Sequence, residues 1–150
     1  DHFLNDAGGS ICELDDPQMR AVLARHTLIL YLEAGEDMEQ QLVERAVSDP
    51  KPLYYREDFL DAELARYLRE AGSADVDAID PDQFVQWVFP KLLRHRRPRY
   101  EAMAAELGYT ISARDIATLR DEADFLDLVS AAIARRIADG GPRGGPGRSQ

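Results

Sequence analysis

A short segment near the start of the chain, Asp6-Ala7-Gly8-Gly9-Ser10, carries the first candidate chemistry. It follows apolar residues, and we expect residues 2–5 to be the end of a buried strand. In parallel α/β sheets, ligands bind outside the carboxyl ends of the strands. Asp6 would there provide the hard oxygen ligand that Mg²⁺ prefers, and the glycines would let a ligand approach the backbone closely. The alternative is a polar turn in which the glycines supply a positive φ.

A basic cluster, Arg94-His95-Arg96-Arg97-Pro98-Arg99-Tyr100, is the second candidate. It concentrates arginines in a chain whose formal net charge is −10. Guanidinium groups suit carboxylates and phosphates, so the cluster indicates an anion site. The alternative is a solvated helix face whose arginines pair with the abundant aspartates and glutamates.

The loop Asp49-Pro50-Lys51-Pro52-Leu53-Tyr54-Tyr55 is the third candidate. Its two prolines stiffen the backbone, and Lys51 lies between them. A lysine in such a loop reaches a phosphate when a lid closes over a site. The alternative is a simple connecting loop.

The composition of the 150-residue chain narrows the possible functions. Its negative charge disfavours nonspecific binding to nucleic acids. No apolar stretch approaches the roughly 18 residues that span a bilayer, and no signal-peptide pattern opens the chain. The single cysteine, Cys12, rules out an internal disulfide and a cysteine-based zinc site, and it fits a reducing compartment. We therefore expect a cytoplasmic protein with neither a membrane nor a nucleic acid as partner.

Hydrophobic periodicity places these candidates on alternating strands and helices. Asp16-Pro17 predicts a helix start, and the continuous apolar run 27–32 predicts a strand covered on both faces. A second strand is expected at 109–112, after a helical region, 84–107, with breaks near Pro90 and Pro98 and a C-cap at Gly108. The alternation indicates a parallel α/β sheet, although only about three strands are visible and the missing ones are N-terminal.

Two segments differ in character from this alternating pattern. Residues 48–86 contain proline breaks and an acidic, turn-rich stretch, and we expect them to be an insertion that leaves the core. Residues 139–150 are rich in glycine and proline and should be disordered. The predicted domain therefore covers residues 1–138, with the insertion inside it.

Taken in order, these segments resemble the C-terminal two-thirds of a shikimate-kinase-like P-loop kinase. The family has a Gly-rich turn after a strand, here residues 6–10, and a lid motif similar to Arg-Pro-Leu-Leu, here Lys51-Pro52-Leu53-Tyr54. It has Arg-x-Pro-x-Tyr after the lid, here residues 96–100. It ends with a strand and turn near the adenine, here about 109–114. The match covers about residues 3–137.

The resemblance implies a P-loop NTPase-like, three-layer αβα fold with a parallel sheet, incomplete at the N-terminus and carrying a helical lid at 48–86. It also implies ATP and Mg²⁺ as cofactors, with Asp6 holding the metal. Lys51 would neutralise the moving phosphoryl group. The residues that would lie against the acceptor substrate are Gly8, Gly9, Ser10 and Arg96.

The nucleotide would be bordered by Ser112, Ala113 and Arg114, according to the same resemblance. The implied activity is transfer of the γ-phosphoryl group of ATP to a hydroxyl of a small anionic acceptor. The chain contains no G-x-x-x-x-G-K-S/T segment, and we expect it to be a fragment that starts after that loop. The alternatives are a P-loop ATPase or switch without a metabolite acceptor, and a non-catalytic helical interaction module.

Overall fold

The computed structural model describes residues 3–72 and 75–140. In that part of the chain, the elements in order are a 3₁₀ turn (Ile11–Glu13), α1 (Pro17–His26), β1 (Ile29–Glu33), α2 (Glu36–Ser48), α3 (Glu57–Ala71), α4 (Pro81–Leu107), β2 (Gly108–Ser112), α5 (Ala113–Ile116) and α6 (Glu122–Ala138). The predicted start of α1 is confirmed, because Asp16 caps the helix and Pro17 is its first residue. The tail prediction falls mostly on residues 141–150, which lie outside the described residues.

The expected three-layer αβα fold is wrong. Most of the described residues are helical, and their sheet contains only two strands, β1 and β2. A three-layer fold needs helices on both faces of a larger sheet. The apolar segment before Asp6 is not a strand, and Phe3 and Leu4 are 91% and 83% exposed. His2 of that segment lies outside the described residues.

The chain divides into two compact units. The first consists of Gln40–Arg96 with the residues up to Glu13, and the second consists of Leu14–Glu39 with the residues from Arg97 onward.

The first unit has its apolar core between α3 and the first part of α4. Phe59 of α3 packs with Phe84, Val88 and Leu92 of α4, all of them buried. Tyr67 meets the edge of the Phe84 ring, with 5.4 Å between the ring centroids. The segment 48–86, predicted as an insertion, therefore supplies α3 and the beginning of α4 to this core.

The second unit is built on the parallel pair β1–β2. Ile29 lies opposite Gly108, and Glu33 lies opposite Ser112 at the carboxyl ends of the strands. One face of β2 packs on α6, where Ile111 is completely buried. The prediction that β1 is covered on both faces is wrong, because Leu32 is 47% exposed.

Gly108 has a different role from the predicted helix cap. It follows the last residue of α4 directly, but it is the first residue of β2. A Cβ atom at Gly108 would lie 2.5 Å from the carbonyl oxygen of Ile29. Only glycine therefore lets the two strands begin their pairing at this point.

Helix α4 is continuous from Pro81 to Leu107, so the breaks predicted at Pro90 and Pro98 are wrong. Each proline removes one backbone donor from the helix. Buried contacts on the same helix outweigh that local cost, since Val88 and Leu92 flank Pro90 in the core of the first unit. The prediction from local propensity failed because tertiary packing decides the outcome.

Candidate functional site

The segment from Asp6 to Ser10 is an exposed polar turn in the first unit. Asp6 Oδ1 accepts a hydrogen bond from the Gly8 backbone N–H at 2.9 Å, and Gly8 has a φ of 55°. The carbonyl of Ser10 accepts from the Glu13 N–H at 3.0 Å and starts the 3₁₀ turn. Gly9 accepts from the Cys12 thiol at 3.3 Å. These contacts are those of the polar-turn alternative, and they leave the Asp6 side chain at the surface.

Arg96 of the same unit is bound by groups of the chain itself. Its Nε donates to Glu13 Oε1 at 2.9 Å, and its Nη2 donates to the Tyr54 carbonyl at 2.8 Å. The side chains of Arg96 and Glu13 are only 8% and 3% exposed. In this structure, the carboxylate that Arg96 binds is that of Glu13, and the contact with a substrate that the resemblance implies stays a prediction.

Lys51 lies in the loop before α3 and is largely exposed. Its Nζ is 3.1 Å from Asp49 Oδ2, and both side chains are more than 60% exposed. An exposed pair of this kind contributes little to stability, so the Lys51 ammonium group can exchange its partner for another anion at low cost.

Two other arginines of the basic cluster lie in the second unit and pair with acidic side chains there. Arg97 pairs with Glu39, and Arg99 Nη1 is 3.8 Å from Asp15 Oδ1. The hydrogen bond from Arg97 to Glu39 raises the pKa of Arg97. These contacts are those of the alternative interpretation of the cluster, in which its arginines pair with acidic residues of the chain.

A pocket of about 350 Å³ lies at the carboxyl ends of the two parallel strands in the second unit. In larger parallel α/β sheets, ligands bind at this edge. Ser112 caps the first turn of α5, and its hydroxyl accepts from the Arg114 N–H at 3.2 Å. The pocket is lined by Glu33, Ala34, Gly35, Glu36, Arg97, Glu101, Ser112 and Arg114. Two of the three predicted nucleotide residues, Ser112 and Arg114, therefore line it.

An exposed ion pair lies at the wall of this pocket. Arg114 Nη2 lies 2.6 Å from Asp37 Oδ1, in the first turn of α2. The hydrogen bond from Arg114 holds the pKa of the Asp37 carboxyl below its usual range. Gly35 leaves room for this pair, because a Cβ atom there would lie 3.1 Å from Asp37 Oδ1.

An aromatic pair lies beside the pocket. The rings of Tyr31 on β1 and Tyr100 on α4 are stacked, with 5.4 Å between centroids. Burial raises the pKa of Tyr31, and the nearby carboxylate of Glu101 raises it further. The surroundings of Tyr31 therefore favour the neutral phenol.

Sequence reasoning missed the acidic half of the pocket. Glu33 ends β1, and Glu101 follows Arg97 by one helical turn on α4. The i, i+4 spacing of Arg97 and Glu101 was a usable signal, because such residues share one face of a helix. No local signal placed that face beside Glu33, which is distant in sequence.

Among residues 3–72 and 75–140, no group of three or more His, Cys, Asp or Glu side chains is arranged to hold a metal ion. No helix in the same residues combines the length and apolar character needed to cross a membrane. No family model, curated protein or solved structure matches the chain.

Proposed function

We propose that this chain is part of an ATP-dependent small-molecule kinase, and that the pocket at the carboxyl ends of β1 and β2 binds the base and ribose of the nucleotide. The observation that carries this proposal is the position of the pocket, since ligands of parallel sheets bind at that edge. A volume of about 350 Å³ suits a nucleoside.

The charges of the pocket favour a nucleoside rather than a free phosphate. Three glutamates and two arginines line it, so its net formal charge is negative. Carboxylates such as Glu33 and Glu101 accept hydrogen bonds from ribose hydroxyls and from the exocyclic amine of adenine. The planar guanidinium groups of Arg97 and Arg114 provide surfaces on which a base stacks.

Asp6 and Lys51, both in the first unit, are the residues that the resemblance to shikimate-kinase-like enzymes implies for the phosphates. Asp6 is exposed and keeps one carboxylate oxygen beyond the Oδ1 atom that accepts from Gly8, which fits the use of one carboxylate as a ligand of phosphate-bound Mg²⁺. Bound Mg²⁺ neutralises negative charge on the phosphates. Lys51 supplies a further positive charge from an exposed loop, as a point charge rather than a bidentate clamp.

Nucleotide binding is tested by titrating the chain with adenosine and with ATP, followed by backbone amide NMR shifts. We expect both ligands to shift the Gly35, Ser112 and Arg114 signals, because the base and ribose carry the recognition. Arg114→Gln should weaken adenosine binding about tenfold. Arg120→Gln is the matched control, since Arg120 forms a similar exposed pair with Asp124 away from the pocket.

Kinase activity is tested with the full gene product, [γ-³²P]ATP and a panel of small hydroxy acids. Label should appear in an acceptor, and Asp6→Ala should reduce the rate without unfolding the protein, because Asp6 is exposed. Phosphate release without a labelled acceptor would favour the ATPase or switch alternative. Failure of adenosine and ATP to bind the chain would contradict the nucleotide assignment and favour the helical interaction module.

A further inference from the structure

A groove of about 490 Å³ in the first unit has no role in the proposed function. It lies between α3 and α4 and has Phe59 and Ala62 among its apolar residues. Its polar lining consists of Asp58, Glu63, Arg66, Lys91, Arg94 and His95.

The acidic side chains of the groove already have basic partners nearby in the sequence. Glu63 Oε1 lies 3.1 Å from Arg66 Nη1, and the Glu63 side chain is only 10% exposed. Asp58 Oδ1 lies 3.2 Å from Arg56 Nε. Both carboxylates are therefore neutralised without Lys91 or Arg94.

Lys91 and Arg94 bring positive charge to the groove. Lys91 Nζ donates to the Trp87 carbonyl at 3.1 Å and lies over the Trp87 indole ring. Arg94 Nε donates to the Pro90 carbonyl at 3.2 Å. Within the described ranges, neither of them forms an ion pair with an acidic side chain.

This arrangement is unexpected in a chain with 28 acidic and 18 basic residues other than histidine. Lys91 and Arg94 are three residues apart on α4, so they lie on one face of the helix. Both side chains border the same groove beside the ring of Phe59. That ring also contacts His95, with 4.6 Å between centroids. The groove thus combines an aromatic wall with two cations that form no ion pair in the described part of the chain.

We propose that this groove binds a small organic anion, in which a phosphate or carboxylate contacts Lys91 and Arg94 and an apolar body packs on Phe59. Guanidinium and ammonium groups are the usual protein partners of both oxyanions. The groove belongs to the first unit alone, so the proposal does not depend on the nucleotide assignment in the second unit.

The test is an NMR titration of the full chain with phenyl phosphate, benzoate and phenol. These probes share a ring and differ in their polar group, so phenol is the neutral control. We expect phenyl phosphate to shift the amide signals around Phe59 and Lys91–His95 with a Kd of about 1 mM. The comparison with benzoate shows whether the groove prefers phosphate or carboxylate, and tighter binding of either anion than of phenol supports the proposal.

Arg94→Gln should weaken binding of the preferred anion about tenfold, and Lys91→Gln should weaken it to a similar extent. Arg94 is exposed, so its replacement should leave the fold intact, which the amide spectrum checks. Arg69→Gln is the matched control, because Arg69 is exposed on α3 and does not line the groove.

The proposal is overturned if neither anion shifts the groove signals, if phenol binds as tightly as both anions, or if Arg94→Gln binds like the original chain. Arg114→Gln separates the two proposals, because it should weaken adenosine binding and leave phenyl phosphate binding unchanged.

Discussion

Replacing Glu13 by glutamine should destabilise the first unit strongly. The Glu13 carboxylate is 3% exposed and lies 2.9 Å from the Arg96 guanidinium, which is itself 8% exposed. Glutamine keeps the size of the side chain and removes its charge, so the Arg96 cation is left buried without a counterion. Removing one partner of a buried pair costs about 3–5 kcal/mol, because the remaining charge has lost its solvation and its partner.

The lower end of that range is the expected value for Glu13→Gln. The amide oxygen can still accept a hydrogen bond from Arg96, and Arg96 keeps its bond to the Tyr54 carbonyl at 2.8 Å. A loss of about 3 kcal/mol is a large part of the 5–15 kcal/mol that stabilises a typical domain. It should lower the urea midpoint by about 1–2 M for an m-value of about 2 kcal/mol/M.

The assay uses tryptophan fluorescence during urea unfolding. Trp87 is the only tryptophan of the chain, and it lies on α4 in the first unit, where its indole donates to Glu70 at 2.9 Å. Its emission therefore reports on the unit that contains Glu13. Circular dichroism, which records all helices, shows whether the second unit unfolds separately.

Asp49→Asn is the matched control for this experiment. It also turns a paired carboxylate of the first unit into an amide, but the Asp49–Lys51 pair is more than 60% exposed on both sides. Its expected effect is below about 1 kcal/mol. If Glu13→Gln changes the free energy of unfolding no more than Asp49→Asn does, the burial argument is refuted. A further check is Glu13→Gln combined with Arg96→Met, which should cost less than the sum of the single changes.

Two other predictions concern the second unit. Gly108→Ala should destabilise it by about 1–3 kcal/mol, because the added Cβ would lie 2.5 Å from the Ile29 carbonyl oxygen and the strands must separate. A thermal melt followed by circular dichroism measures this loss. An unchanged melting temperature would contradict the close approach of the two strands. Tyr31→Phe should make the unit less sensitive to alkaline pH. Since the folded pKa of Tyr31 is raised above the unfolded value of about 10, its contribution is present below pH 10 and lost as the pH rises through the folded pKa. Melting curves measured between pH 8 and 12 should show a smaller loss of stability for the variant than for the original chain, and equal losses would exclude this contribution.

Local features of the sequence were sufficient for several elements. Asp16 and Pro17 specify the start of α1, because the aspartate side chain accepts from the Gln18 and Met19 N–H groups and proline has no N–H to satisfy. The apolar runs at 27–32 and 109–112 located both strands to within two residues. Each of these signals depends on residues within one helical turn or one strand, so the element can be recognised without the rest of the chain.

Tertiary structure decided the features that depend on distant residues. Glu13 and Arg96 are 83 positions apart, and no local pattern indicates that one neutralises the other. The pocket at the end of β1 likewise depends on a parallel pairing that brings Glu33 beside Ser112. The prolines of α4 are a related case. Their local signal predicts breaks in the helix, but tertiary packing keeps the helix continuous. The sequence therefore determined where the helix α1 and the strands begin and which charges each segment carries. Folding determined which of those charges are paired, as at Glu13 and Arg96. It also determined which charges, as at Lys91 and Arg94, have no acidic partner in the described part of the chain.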